Sequence, residues 1–246
     1  MTELMEGSRR LETRHREAPR KALLSVVMPV YNEVETVMQV IDRVMGLDFD
    51  LNLIVVDDGS TDGTRDLLAQ IDDERILVVL QPENKGKGAA VRTGYDHANA
   101  EIVTIQDADL ELDPTEIPKL VEPVAAGEVD VVYGSRFMHG WKHRNALNAF
   151  ANWFLSGLTN VLFGTRLRDM EACYKVFRTE HLTKFELKAD RFDFEPEITA
   201  KLCKLGLSIR EIPIRYQPRD FKDGKKIHWK DGFEAIYTLI KYRFVN

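Results

Sequence analysis

A chain of 246 residues with 44% hydrophobic and 30% charged residues can bury one sizeable α/β core and has the composition of an ordinary folded protein. Its formal net charge of −6 speaks against general nucleic-acid binding. Cys173 and Cys203 are the only cysteines and lack metal-ligand spacing, which argues against a disulfide framework or structural zinc and points to a reducing, cytoplasmic setting.

Residues 1–22 alternate acidic and basic side chains with scarcely any apolar run, the pattern of a frayed arm rather than a signal peptide or anchor. No stretch reaches the roughly 18 consecutive apolar residues that cross a bilayer, so any membrane contact is expected to be peripheral or through a membrane partner protein. From residue 23 to 135, short β-branched runs at 24–30, 53–57, 76–80, 102–106 and 129–133 alternate with helical patterns. That alternation predicts an α/β fold with a mainly parallel sheet covered by helices.

Ligands of open parallel sheets bind outside the carboxyl ends of the strands, and here those ends are polar. They read Pro29-Val30-Tyr31-Asn32-Glu33, Asp57-Asp58-Gly59-Ser60, Asn84-Lys85-Gly86-Lys87-Gly88, Gln106-Asp107-Ala108-Asp109 and Gly134-Ser135-Arg136. Beyond Phe137 the pattern predicts a helix over 145–163, a strand at 173–177, a helix near 196–205, an extended run at 209–216 and a last helix from Asp231. Without a repeat or linker, 23–246 is one domain: a donor half to about 135, an acceptor half over 136–230, and an amphipathic helix over 231–244.

Asp107 and Asp109 end a strand, where alternation turns both carboxylates to one side and Ala108 to the other. Such a pair suits Mg²⁺ or Mn²⁺, which take hard oxygen ligands; Mg²⁺ usually combines one or two carboxylates with substrate phosphates. Glu111 and Asp113 lie close enough to assist, and Asp113 before Pro114 also suits a helix N-cap. Asp57 and Asp58 read both as turn formers and as acceptors for a nucleobase, with Tyr31 as a flat face for the base.

Lys85-Gly86-Lys87-Gly88 is neither a Walker loop, since no Ser or Thr follows Lys87, nor a dinucleotide fingerprint, since it is not at the first strand–helix turn. It is expected to be a tight cationic turn whose backbone N–H groups face an anion. Arg136, Lys142, His143 and Arg144 form a basic cluster suited to a second anionic substrate, although a solvated loop explains Lys142 and His143 equally. Arg168 with Asp169 is either an internal ion pair or part of the site.

With these motifs in this order, and with 168–178 and 191–197 following, the sequence resembles the family-two glycosyltransferases. The likeness is to the branch that makes polyprenyl-phosphate sugars, which includes dolichol-phosphate mannose synthases. The tail motifs Gly224-Lys225-Lys226-Ile227 and Trp229-Lys230-Asp231-Gly232 resemble its small bacterial members. The resemblance implies a GT-A, Rossmann-like three-layer sandwich and a metal-dependent hexosyltransferase. It implies that Pro29, Tyr31, Glu33, Asp57 and Asp58 hold the base and ribose of the donor, and that Asp107, Asp109 and Glu111 hold the metal and diphosphate. Lys85, Gly86 and Ala108 are expected to line the same donor site. Arg136 and Arg144 become candidates for the acceptor phosphate, with Arg168 beside them.

The expected reaction is inverting: a hexose moves from a nucleotide-diphosphate sugar, a UDP-sugar ahead of GDP-mannose, to a polyprenyl phosphate, with Asp107, Asp109, Asp169 and Arg136 at the reacting centre. Were the acceptor a hydroxyl, Asp169 would be the first choice of base. A hydroxyl acceptor and a non-catalytic sugar-nucleotide-binding protein are the rival expectations. Apolar stripes at 150–163 and 233–244 fit either packing or contact with a lipid surface at the cytoplasmic face of a membrane.

Overall fold

The computed structural model describes residues 21–138, 146–218 and 229–245. The arm at 1–20 and the stretches carrying Lys142, His143, Arg144 and Gly224–Ile227 therefore lie outside the described residues.

The first half follows the predicted alternation: β1 (Leu24–Val30), α1 (Val37–Met45), β2 (Leu51–Asp57), α2 (Thr64–Leu68), β3 (Ile76–Leu80), α3 (Lys87–His97), β4 (Ile102–Ile105), α4 (Ile117–Ala125) and β5 (Val131–Ser135). The second half adds α5 (Ala146–Phe163), β6 (Lys175–Arg178), α6 (Phe194–Lys204), β7 (Ile209–Pro213) and α7 (Trp229–Phe244). The seven strands order as β3-β2-β1-β4-β6-β5-β7. Only β6 runs antiparallel to its neighbours, so the predicted, mainly parallel sheet holds with one reversed strand in its middle.

Strand residues buried on both faces explain the apolar runs. In β1, Leu24, Val26, Met28 and Val30 pack in one core with α1 and α4, whereas Val27 packs in the other with α3 and α6. α1 buries Val37, Val40, Ile41 and Val44, one stripe at helical spacing. Each fully enclosed side chain of this kind stabilises the fold by about 1.5–3 kcal/mol. Helices thus cover both faces, giving three layers. A smaller cluster, Leu155, Met170, Ala235 and Leu239, joins α5 to α7.

The register positions the site. Val30 pairs with Asp57, and Asp57 with Leu80, so three strand ends are level. β4 ends opposite Val27, short of the end of β1. The strand order reverses between β1 and β4, the place where such sheets open a crevice.

Candidate active site at the strand ends

At the base of the crevice, adjacent turns are stitched together. Asn32, held at φ +52°, accepts from the Thr61 N–H through Oδ1 (2.8 Å) and donates its own N–H to Ser60 Oγ (2.9 Å). Glu33 is buried, accepting from the Thr36 hydroxyl (2.8 Å) and donating its N–H to Thr64 Oγ1 (3.0 Å), so it fixes the entry to α1. Pro29 and Tyr31 are half-buried beside it.

Asp57 and Asp58 are both buried. Asp57 pairs with Arg65 (2.6 Å) and accepts from the Ser60 N–H, while its Oδ1 is enclosed without a hydrogen-bond partner among the described residues. Asp58 accepts from the N–H groups of Lys85 and Gly86, each at 2.8 Å. This corrects the expectation for the glycine-rich turn: two of its N–H groups are directed at Asp58 rather than at an anion site. Its glycines have a packing cause. A Cβ at Gly86, where φ is +109°, would sit 2.4 Å from the Asp190 carbonyl oxygen, and one at Gly88 would sit 2.5 Å from that of Ala189. Lys85 is exposed.

Lys87, which opens α3, reaches across the crevice. Its ammonium lies 2.8 Å from Asp107 Oδ1, 3.6 Å from Glu195 Oε1 and 3.6 Å from Cys173 Sγ. Burial works against both charges, but the pair outweighs it: Lys87 is held well above its ordinary pKa and Asp107 below the usual carboxylate value. Glu195 also accepts from Lys175, a lysine with no exposed surface in β6. Ala108 is buried in the core while Asp107 and Asp109 are half-buried at the rim, the alternation expected of a strand end.

The Asp109 turn is constrained. Asp109 Oδ1 accepts from the Glu111 N–H (3.1 Å), and Leu110 sits at φ +62°, a region costing roughly 1–2 kcal/mol for an L residue. Glu111 accepts from the Tyr216 hydroxyl (2.7 Å), and Leu112 bridges to Tyr216. Asp113 caps the short turn Pro114–Glu116 through Thr115 N–H.

Among the described residues no three His, Cys, Asp or Glu form a ready-made metal cluster. The donor set nonetheless fits a hard divalent ion. Asp107 and Asp109 would supply carboxylate oxygens from one turn, leaving the remaining positions for substrate phosphate or water. Glu111 is drawn toward Tyr216 and fits less well as a third ligand.

At the end of β5, Arg136 donates to both oxygens of Asp169, from Nε at 2.9 Å and Nη2 at 2.7 Å, and to the Glu171 carbonyl at 3.0 Å. Its guanidinium lies over the Tyr216 ring, 5.3 Å from the centroid. Asp169 is therefore the partner of Arg136, not of Arg168, whose side chain is exposed and whose backbone N–H donates to Glu211. Three hydrogen bonds from Arg136 engage both oxygens of the buried Asp169 carboxylate, an arrangement that suits an orienting partner of Arg136 better than the expected base for a hydroxyl acceptor.

Sequence reasoning missed Lys87, Glu171, Lys175, Glu195 and Tyr216. A charged residue within an apolar run, such as Lys175 in Tyr174-Lys175-Val176-Phe177, was the available signal.

Residues 25–185 match the profile of Glycosyl transferase family 2. The chain is 32% identical over 232 residues to a polyprenol monophosphomannose synthase of Mycolicibacterium smegmatis, covering 88% of this chain and 85% of that one. It is 26% identical over 239 residues to a UDP-N-acetylglucosamine–dolichyl-phosphate N-acetylglucosaminyltransferase of Methanococcus voltae, covering 89% and 95%. Among solved structures, glucosyl-3-phosphoglycerate synthase of Mycobacterium tuberculosis, in complex with Mn²⁺, UDP-glucose and phosphoglyceric acid, aligns with a TM-score of 0.69 at 24% identity over 92% of this chain and 81% of that one. The fold is accordingly the GT-A type, and the sequence kinship lies with polyprenyl-phosphate sugar synthases. With a family match spanning most of the chain and every strand end of the crevice, this protein belongs to glycosyltransferase family 2.

Proposed function

We propose that this glycosyltransferase moves a hexose, with inversion, from a nucleotide-diphosphate sugar to a polyprenyl phosphate, with a UDP-sugar favoured over GDP-mannose as donor. The observation that carries this reading is the span of the crevice. Asp107 and Asp109 with Lys87 form its donor end, and Arg136 on Asp169 forms its acceptor end.

In this reading Pro29, Tyr31, Glu33, Asp57 and Asp58 shape the base and ribose pocket, the last two by fixing the turns that wall it. Asp107 and Asp109 would hold Mg²⁺ or Mn²⁺, with Glu111 in reserve; such an ion neutralises the charge growing on a departing diphosphate. Lys87 adds positive charge at the same place. Arg136 orients the acceptor phosphate, its own charge held by Asp169; Arg144 and Arg168 stand as further contacts for that group.

An oxygen of the acceptor phosphate forms the new bond to the anomeric carbon while the bond to the diphosphate breaks. A phosphate monoester has its second ionisation near pH 6, so the attacking oxygen is already anionic at neutral pH and no strong base is required.

A lipid acceptor calls for a lipid-facing surface, and α5 with α7 offers one. The 18 residues of α5 include no charged side chain, yet Phe150, Trp153 and Val161 are 60%, 68% and 85% exposed. On α7, Phe233, Tyr237, Ile240 and Phe244 form an exposed stripe, with Lys241 and Arg243 nearby. No helix among the described residues is long and apolar enough to cross a membrane. Peripheral docking on an anionic lipid surface fits both facts.

The test is transfer of labelled sugar from a panel of UDP- and GDP-sugars to undecaprenyl or dolichyl phosphate, with Mg²⁺ or Mn²⁺ and with EDTA. Metal-dependent label in the organic phase is expected from one donor. Label only on water-soluble hydroxyl acceptors overturns the lipid-phosphate reading and keeps the enzyme.

A further inference from the structure

Between the two ends of the crevice runs the segment from Asp169 to Cys173, and its side chains alternate. Met170 and Ala172 are fully buried in separate core clusters. The intervening side chains lie among the charged groups of the site. Asp169 holds Arg136, and Cys173 Sγ lies 3.6 Å from the ammonium that pairs with Asp107. Glu171 stands between Asp169 and Cys173 along the chain, its backbone carbonyl on Arg136 and its carboxyl close enough to feel Glu195, Lys175, Arg136 and Asp169. In a single displacement the migrating sugar must occupy the interval between the cation assigned to the acceptor phosphate and the carboxylates assigned to the donor diphosphate.

The fold does not satisfy Glu171. Its Oε1 is enclosed and has no hydrogen-bond partner among the described residues. The nearby cations are committed: Arg136 to Asp169 and to the Glu171 backbone carbonyl, Lys175 to Glu195 and the Ala172 carbonyl. An enclosed polar atom left without a partner is destabilising, and a ligand hydroxyl donating to it would offset that cost.

We infer that Glu171 receives a hydroxyl of the sugar being transferred and is a specificity-determining residue of this site. The inference rests on the transfer reaction proposed above and names the chemistry its middle subsite recognises, a pyranose hydroxyl. Burial and the neighbouring Glu195 carboxylate raise the Glu171 carboxyl to about 7, against the pull of Lys175 and Arg136. Near neutral pH it is therefore able both to accept from a hydroxyl and to donate to one.

The experiment measures, by calorimetry in Mg²⁺, the affinities of wild type, Glu171→Ala and Glu171→Gln for UDP and GDP and for their glucose, N-acetylglucosamine and mannose conjugates. Glu171→Ala is expected to lower the ratio of sugar-nucleotide to nucleotide affinity about tenfold, as for one lost buried hydrogen bond to a charged group. Glu171→Gln, which keeps an acceptor oxygen, should fall between and serves alone if the alanine variant fails to fold. A deoxy-sugar donor lacking the recognised hydroxyl should show no further loss in Glu171→Ala.

An unchanged ratio, or equal weakening of nucleotide and sugar nucleotide, overturns the inference. Wild type that transfers label while the ratio is unchanged removes only the role of Glu171. Wild type that binds sugar nucleotide through Glu171 but labels no acceptor removes the transfer reading instead.

Discussion

The two ends of the crevice are built differently. On the donor side each strand-end turn is tied to the next: Asn32 to Ser60 and Thr61, Asp58 to Lys85 and Gly86, Lys87 to Asp107. On the acceptor side a reversed strand brings together groups from distant parts of the chain, Arg136 with Asp169, Lys175 with Glu195, Glu111 with Tyr216, and an uncharged helix lies on the outside. Repetition of one βα unit shapes the proposed nucleotide pocket almost unaided. The acceptor end depends on a few buried ion pairs, so its chemistry and its stability are harder to separate.

That difference is open to direct attack. On the donor side, Asp109→Ala should reduce transfer by about 10³-fold, roughly 4 kcal/mol of barrier, because it removes a rim carboxylate proposed to hold the ion that neutralises the charge growing on the diphosphate. Its melting temperature should stay near that of wild type, since a half-buried rim side chain adds little to the core. Near-normal turnover would refute the metal assignment. On the acceptor side, Asp169→Ala should cost about 3 kcal/mol or more in urea denaturation as well as activity, because it strands the Arg136 guanidinium in a largely buried place. A fully stable but inactive variant would show that the two ends are alike after all.

Gly88→Ala probes the seam between the ends. A Cβ there meets the carbonyl oxygens of Ala189 and Arg191 at 2.5 and 2.9 Å. Backbone cannot yield as a side-chain tip does, so a loss of about 1–3 kcal/mol is expected in the same denaturation assay. The paired change Phe150→Ser with Trp153→Ser acts outside the site. It should weaken sedimentation with anionic vesicles by about tenfold, through lost apolar contact with lipid, while leaving hydrolysis of a water-soluble donor unchanged.

The donor half was largely legible in the sequence because strands buried on both faces leave continuous apolar runs, and the polar residues ending them mark the rim. Asp107-Ala108-Asp109 could be oriented from period-two alternation alone. What resisted was whatever depends on partners remote along the chain. The direction of β6 is not a property of Lys175–Arg178; it follows from which neighbours that strand finds. Spacing suggested pairing Arg168 with its neighbour Asp169, whereas the fold gives Asp169 to Arg136, across a strand end and a helix. The turn at 85–88 read as an anion cradle because glycine and lysine are the ingredients of one. Its glycines instead admit the 189–191 backbone, and its second lysine is half-buried and paired with Asp107.

The smallest predicted effect isolates Glu171 through stability rather than binding. Its carboxyl is raised from the ordinary 4.5 to about 7 by burial and by Glu195. Below pH 4.5 the group is protonated in folded and unfolded chains alike, and its contribution is fully present. Between pH 4.5 and 7 the unfolded chain releases its proton while the native site retains it, so unfolding becomes easier as pH rises through that window. Asp58 and Glu211, also raised by burial, slope the same way, so the informative quantity is the difference between wild type and Glu171→Gln. Urea denaturation at pH 5 and pH 7.5 should show wild type losing about 1 kcal/mol more than Glu171→Gln, the partial exposure of the residue as a whole screening the remainder. Parallel losses in the two proteins would mean that Glu171 is ionised in the empty site, and that a sugar hydroxyl meets a carboxylate there, acting only as an acceptor.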